Sequence, residues 1–255
     1  MPTVTLLAKA YTDAQFKHVH SLLNAKIRGL NAKVEVSGIT PRRWVQIVVS
    51  GEDETVALRY LAEEIGFCPE SQSQLQKFSS IKGSIVSIGK NGIGVDVGIL
   101  APKIVDAEAS LSRLQAQLAD GKKVPLDKIG SLYGFCESLP LAVKILSNDV
   151  LSGRIEAVLD EKQVAHYRDW TKRLLDVLVV LGASSEEVDL ALKATGSARD
   201  IVAVEPLGLF EFAVVCKLGT DARGLIPRVG RSLRHARFSI FSPRKVLGFL
   251  GDTIL

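Results

Sequence analysis

Residues 83–99 read GSIVSIGKNGIGVDVGI, which is two apolar runs separated by a glycine-rich turn. Apolar and polar side chains alternate in residues 83–88, as is typical of a half-buried strand. Asn91 and Gly92 in the turn are a strong β-hairpin signal because both residue types tolerate a positive φ. Residues 93–99 return as the partner strand. We therefore predict a β-hairpin at the centre of the chain.

The segments that follow this hairpin predict a small barrel. Short helices are predicted over residues 110–119 and 125–132, and a late closing strand over residues 141–145. A hairpin, a helical insertion and a closing strand within about 70 residues are typical of a Greek-key barrel. The sequence therefore predicts an S1/OB-like β-barrel over residues 78–148.

The segment before the barrel, residues 1–77, predicts a ferredoxin-like α+β domain. A strand at 3–7 is followed by a helix at 11–30 whose apolar residues recur at spacings of three and four, with Asp13 as the expected N-cap. Two strands and a second helix follow. This element order favours helices on one face of an antiparallel sheet. Residues 71–77, SQSQLQK, are polar and are interpreted as a linker.

The segment after the barrel, residues 149–255, predicts a second α+β domain. It begins with a strand at 154–159, and Asp160 is expected to cap the helix that follows. Ser184 opens a capping-box-like start to another helix. The rest is predicted as two strands, a helix from Thr220 or Asp221 to about residue 234, and a last strand. The predicted fold class is thus α+β multidomain.

Three segments carry a resemblance to a known family. They are residues 133–141 (YGFCESLPL), 199–211 (RDIVAVEPLGLFE) and 214–225 (VVCKLGTDARGL). The chain resembles an archaeal family catalogued as domain of unknown function 2110, and the resemblance extends over nearly all of it. It implies an archaeal, cytoplasmic protein with an S1-like middle domain between two α+β domains. It implies no activity and no catalytic residues.

Positive charge is concentrated at the end of the chain. The whole sequence has a net charge of +4, whereas residues 217–255 hold eight basic and two acidic side chains, a net +6. Such a local excess attracts polyanions, and the arginine fork suits phosphate. A solvated surface without a partner is the alternative. The candidate nucleic-acid-binding residues are Arg223, Arg228, Arg231, Arg234, Arg237, Arg244, Lys245 and Lys90.

The predicted barrel departs from the usual single-strand-binding pattern. Aromatic side chains on the barrel face normally stack on bases, yet the two hairpin strands hold no Phe, Tyr or Trp. Between residues 78 and 148 the aromatic residues are Phe78, Tyr133 and Phe135. A barrel kept as a structural or protein-binding module is therefore an open alternative.

Residue patterns for other functions are weak. His18 and His20 are two apart on a helix and face different directions, so no metal ligand pair is expected. Cys136 and Cys216 lie in apolar stretches where a thiol is usually inert. No phosphate loop or Gly-x-Ser-x-Gly elbow occurs. We expect no cofactor, no signal peptide and no membrane span, and hence a cytoplasmic protein.

Composition narrows the class of protein further. With 47% apolar and 24% charged residues, the chain is not collagen-like, coiled-coil or disordered. The favoured hypothesis is a non-catalytic protein that binds RNA or another nucleic acid. The alternatives are an adaptor that docks on an acidic protein surface of a translation or transcription complex, and an enzyme with a site between domains.

Overall fold

The computed structural model describes residues 3–251. The N-terminal domain contains three strands and two helices, in the predicted order. They are β1 (Thr3–Lys9), α1 (Asp13–Lys26), β2 (Ala32–Ile39), β3 (Trp44–Gly51) and α2 (Glu54–Glu64). The antiparallel sheet has the order β1-β3-β2, and Leu6 forms an isolated bridge to Phe67 on the free side of β1. The domain is therefore ferredoxin-like, with its fourth strand reduced to one bridge.

The N-cap of helix α1 is one residue earlier than the sequence predicts, and the helix itself is shorter than the predicted range 11–30. Thr12, not Asp13, is the N-cap, because its hydroxyl accepts from the Gln15 amide while the Gln15 side chain accepts from the Thr12 amide. This reciprocal pair satisfies two otherwise unpaired N–H groups. Asp13 lies in the first turn, where the helix dipole favours a carboxylate.

A closed five-stranded barrel forms the centre of the molecule. Its five strands are β5 (Ser80–Gly89), β6 (Gly92–Ala101), β7 (Val105–Ser110), β8 (Pro140–Asp149) and β9 (Arg154–Leu159). Helices α3 (Leu111–Leu118) and α4 (Leu126–Tyr133) connect β7 to β8, and the short β4 (Glu70–Ser71) precedes the barrel. The pairings β6-β5-β8-β9-β7 and back to β6 close the sheet, with β7 and β9 parallel. This is the OB arrangement. The S1/OB-like prediction is confirmed.

Two details of the barrel correct the sequence interpretation. The sequence analysis places strand β9 in the C-terminal domain, but it pairs with β8 and β7 and is the strand that closes the barrel. Its alternating pattern fits either sheet, so local sequence does not select the partner. The expected linker is also ordered: β4 pairs with β6, and Gln72 is buried with its side chain donating to the Asp149 carbonyl at 3.0 Å.

The C-terminal domain has the complete ferredoxin-like topology. After α5 (Glu161–Arg173) come β10 (Val177–Leu181), α6 (Ser185–Ala194), β11 (Ile201–Pro206), β12 (Glu211–Cys216), α7 (Ala222–Ser232), β13 (Arg237–Phe241) and α8 (Pro243–Leu250). The antiparallel order is β11-β12-β10-β13. The sequence misses β10, whose continuous apolar run does not alternate, and α8. Asp160 and Ser184 cap α5 and α6 as predicted.

The C-terminal sheet is buried on both faces, which explains the continuous apolar run of β10. Val179 and its neighbours on one face join the core of the barrel and α5. Val180 and the other face pack against α6 and α7. A strand covered on both faces needs apolar side chains at every position. The barrel and α7 consequently lie on opposite sides of this sheet.

The N-terminal domain is held to the barrel by a buried ion pair. Lys9 Nζ, at the end of β1, donates to Asp96 Oδ2 of β6 at 2.7 Å, and the two side chains are 10% and 0% exposed. Asp96 also accepts from Trp44 Nε1 at 3.0 Å and from the Gly98 amide at 3.0 Å. Every partner of this carboxylate is therefore a protein donor, and three donors compensate for its loss of water.

Lys9→Met should lower the free energy of unfolding by about 3–5 kcal/mol, because it leaves the Asp96 carboxylate buried without its counter-ion. Urea denaturation of the full chain measures the change. Lys33→Met is the matched control, since Lys33 pairs with Glu35 on the exposed edge of β2 and should alter stability little. Equal effects of the two substitutions would contradict a structural role for the buried pair.

Candidate functional site

Helix α7 turns its apolar side to the C-terminal sheet and its arginines to solvent. Asp221 caps the helix by accepting from the Arg223 amide at 2.9 Å. Leu225, Val229 and Leu233 are buried in one cluster with the sheet, as the sequence predicts. The helical period therefore leaves the arginines on the opposite side.

Most of the predicted basic residues are exposed and have no acidic partner. Within residues 3–251, none of six candidates forms an ion pair: Arg223, Arg228, Arg231, Arg234, Arg244 and Lys245. Arg237 differs, because its guanidinium contacts Glu137 at 2.8 Å. His235 lies 3.5 Å from Glu187. We call Arg223, Arg228, Arg231 and Arg234 the α7 basic surface.

The structure brings three of the predicted residues to two neighbouring grooves. Arg223 and Lys245 line a groove of about 410 Å³. Lys90 lines a second groove of about 770 Å³ on the barrel. Ile88, at the end of β5, lines both grooves. The β5–β6 hairpin therefore lies between the N-terminal end of α7 and the barrel groove.

The face of the barrel that binds oligonucleotides in other OB folds is largely covered. Asp96 of β6 is buried against the N-terminal domain, and Asp106 of β7 contacts Arg42 at 3.2 Å. Burial raises the pKa of Asp106, although the nearby Arg42 opposes the shift. The uncovered end is the 770 Å³ groove, whose lining contains no Phe, Tyr or Trp.

Four charged side chains that line the barrel groove form ion pairs with one another. Arg113 contacts Glu156 at 3.2 Å and Arg154 contacts Glu108 at 3.7 Å. Lys90 at the hairpin turn is exposed and stands outside these pairs among the described residues. The groove thus offers neither a stacking platform nor a strong positive field. Of the predicted aromatic residues, Tyr133 and Phe135 are buried and Phe78 is exposed on the connection into β5.

A second polar cluster lies where the three domains meet, and the sequence analysis did not predict it. Glu211, at the start of β12, accepts from the Tyr11 hydroxyl at 2.5 Å and from the Phe210 amide at 3.2 Å. Phe210 is fully buried in the core of the N-terminal domain. A Cβ on Gly208 would overlap Glu211 Oε2, so a larger residue at this turn would displace the carboxylate. The 199–211 segment therefore joins domains.

Burial dominates the electrostatics of this junction. It raises the pKa of Glu211, partly opposed by the hydrogen bond from Tyr11 and by the nearby Lys82 and Lys9. The pKa of Tyr11 is raised as well, by burial and by Glu211, so its phenol stays neutral. In the sequence, the only signal of this junction is that two charged residues, Asp96 and Glu211, lie within apolar runs.

Other reactive groups show no catalytic arrangement. Burial raises the pKa of Cys136, and raises that of Cys216 to about 12, so neither thiol is activated by its surroundings. Within residues 3–251, no three His, Cys, Asp or Glu side chains converge as metal ligands would. In the same part of the chain no helix has the length and apolar character needed to cross a bilayer.

Family models match three consecutive parts of the chain. The DUF2110 N-terminal domain matches residues 3–71, the central domain residues 76–171, and the C-terminal domain residues 175–241. The chain belongs to the DUF2110 family. Family membership confirms the resemblance seen in the sequence. A comparison with curated proteins gives no match.

Solved structures similar to the chain share little sequence with it. The intact alpha subunit of aIF2 from Pyrococcus abyssi is 10% identical, with 66% of this chain and 96% of that chain covered and a TM-score of 0.26. The a/eIF2alpha–aDim2p–rRNA complex from Pyrococcus horikoshii OT3 is 13% identical, with 50% and 70% covered and a TM-score of 0.24. Likenesses this weak say nothing about the function of the DUF2110 chain.

Glu211→Gln should change how stability depends on pH. Because the folded pKa of Glu211 is raised, the folded state binds the proton more tightly than the unfolded state. Wild-type stability should therefore fall, relative to the Gln variant, as pH rises from about 4.5 through the raised pKa. Urea denaturation between pH 4 and pH 8 measures this difference.

The exposed Glu63 of α2 supplies the control variant, Glu63→Gln, which should show no such trend. In Glu211→Gln the introduced side-chain amide can accept from the Phe210 amide and donate to the Tyr11 oxygen, so the substitution keeps both contacts. A wild type that gains stability over Glu211→Gln with rising pH would contradict the assignment.

Proposed function

We propose that this DUF2110 protein binds RNA, or another nucleic acid, through the α7 basic surface. The observation that carries the proposal is a set of four exposed arginines, three on α7 and Arg234 just after its end, that form no ion pair within residues 3–251. Exposed arginines without carboxylate partners are free to bind phosphate through two parallel hydrogen bonds.

The acidic segment of the chain does not neutralise this surface. Residues 149–216 hold seven basic and twelve acidic side chains, a net −5. Three of these carboxylates contact groups outside the surface: Glu186 pairs with His18, Glu187 with His235, and Glu205 with Arg173. The positive field of α7 therefore remains available to an outside polyanion.

Binding through this surface is expected to be electrostatic and weakly sequence-specific. Arginine contacts to phosphate fix position and carry no sequence information. The barrel, which could read bases by stacking, has a largely covered face and a groove without aromatic side chains. Arg223, Lys245 and Lys90, which line adjoining grooves, would extend the contact toward the β5–β6 hairpin.

The covered barrel face also favours a second candidate, an adaptor that docks on an acidic protein surface. In that case the same arginines would meet carboxylates instead of phosphates. The two candidates differ in whether purified nucleic acid alone is sufficient for binding.

Arg228→Glu, Arg231→Glu and Arg234→Glu together should weaken RNA binding by about 100-fold or more at low salt. The slope of log affinity against log salt should become shallower by about 2, because about 0.7 counter-ion per phosphate contact is released from a single strand. Fluorescence anisotropy with single-stranded RNA, structured RNA and duplex DNA measures both quantities.

Lys17→Glu, Arg28→Glu and Arg59→Glu form the matched control, because these exposed residues of α1, the α1–β2 connection and α2 give the same change in net charge. The control should retain most of the affinity. If the wild type binds none of the three nucleic acids at low salt, the proposal is wrong and the acidic protein surface becomes the candidate. Equal losses in both triple variants would mean that net charge, not α7, governs binding.

A further inference from the structure

Two adjoining cavities lie at the junction of the three domains. The first has a volume of about 240 Å³ and the second about 330 Å³. Lys82, Pro140, Pro206 and Leu207 line both, so the cavities share a wall. Together they fall in the size range of small-molecule sites, about 300–1,000 Å³.

Each cavity is lined by a residue with an unsatisfied buried polar atom. Ser84 is 4% exposed and lines the first cavity, and its Oγ has no hydrogen-bond partner among the described residues. His166 lines the second cavity, and its buried Nε2 likewise has no partner there. Buried polar groups in native proteins nearly always have a partner, and two of the four such side-chain atoms among the described residues belong to the lining of this junction.

The first cavity suits an anionic group. Lys82 Nζ donates to the Leu207 carbonyl at 3.1 Å and forms no ion pair within residues 3–251, although Glu211 of the same lining interacts with its charge. Ser138 and Ser84 add hydroxyl donors to the lining. Burial raises the pKa of Glu211, and Glu64, the other carboxylate of the lining, is paired with Lys26 at 2.9 Å.

The second cavity suits a flat ring. His166 and Trp170, both in its lining, lie with ring centroids 4.3 Å apart, and Tyr167 and Tyr133 are also among the lining residues. Burial lowers the pKa of His166, which favours the neutral imidazole, and a neutral imidazole can both donate and accept a hydrogen bond. Gln163 and Lys162 supply further polar groups.

We propose that the two cavities together bind a nucleoside monophosphate, with the phosphate beside Lys82 and Ser84 and the base against His166 and Trp170. The ligand could be a free mononucleotide or the terminal nucleotide of an RNA chain. The site is separate from the α7 basic surface, because Val179 on the barrel side of the C-terminal sheet lines the second cavity whereas α7 packs on the other side.

The two tryptophans of the protein report on the two cavities. Trp44 lines the first and Trp170 the second, and the chain contains no other tryptophan. Titration of the full chain with AMP, GMP, CMP and UMP should quench fluorescence saturably for at least one of them. Inorganic phosphate alone should bind more weakly, since it lacks the ring.

Two variants test the assigned groups. Lys82→Gln should weaken nucleotide binding about tenfold or more, because a charge-assisted hydrogen bond is lost. Ser84→Ala should weaken it about three- to tenfold. Without ligand, Ser84→Ala should be at least as stable as the wild type, because it removes a buried hydroxyl that has no partner. Ser87→Ala, on the same strand outside these cavities, is the matched control.

Each outcome decides the proposal. Saturable quenching that Lys82→Gln and Ser84→Ala weaken, and Ser87→Ala does not, supports it. Failure of all four nucleotides to quench at millimolar concentration overturns it, as does phosphate binding with equal affinity. A trinucleotide that competes through its terminal residue identifies RNA as the source, whereas binding by mononucleotides alone identifies a free ligand. The RNA affinity of Lys82→Gln tests binding through the α7 basic surface separately, because Lys82 does not belong to that surface.

Discussion

The buried ion pair between Lys9 and Asp96 fixes the N-terminal domain on the barrel, and the position of this domain decides which face of the barrel is covered. A carboxylate with no solvent exposure must be compensated within the protein, and its donors come from the N-terminal domain and from its own strand. That requirement places the N-terminal sheet against β6 and β7, over the surface where other OB folds bind oligonucleotides. Phe210 then fixes the C-terminal domain by inserting into the N-terminal core.

This assembly separates the electrostatic surface from the barrel. The usual binding face of the barrel is covered, and the charged side chains of its remaining groove mostly form ion pairs with one another. The barrel therefore acts chiefly as the core on which both ferredoxin-like domains pack. The unpaired arginines of α7 lie beyond the far side of the C-terminal sheet. The proposed function therefore depends on the C-terminal domain, and the barrel supplies its support and one flanking groove.

Local signals were sufficient to predict the parts of the fold that depend on neighbouring residues. The Asn91-Gly92 turn, the Ser184 capping box and the apolar stripe of Leu225, Val229 and Leu233 all formed as expected. The failures concern partners distant in sequence. Strand β9 closes the barrel through pairing with β7, and β10 is a strand between two covered faces, which its unbroken apolar run could not reveal.

The candidate functional residues also divide into those that local sequence predicts and those that depend on distant partners. The exposed arginines were predictable because a helical period and a charge excess are local properties. The junction was not, because Asp96 lies 87 residues from Lys9, and Glu211 lies 200 residues from Tyr11. A charged residue within an apolar run signals that some partner exists, but only the folded chain identifies it.

The most direct test of this assembly is whether the N-terminal junction unfolds together with the rest of the chain. In Trp170→Phe, Trp44 is the sole tryptophan and reports on the contact with Asp96. Urea unfolding followed by Trp44 fluorescence should coincide with the transition seen by far-ultraviolet circular dichroism. A fluorescence transition at clearly lower urea concentration would contradict the account, because the N-terminal domain would then detach from a barrel that stays folded.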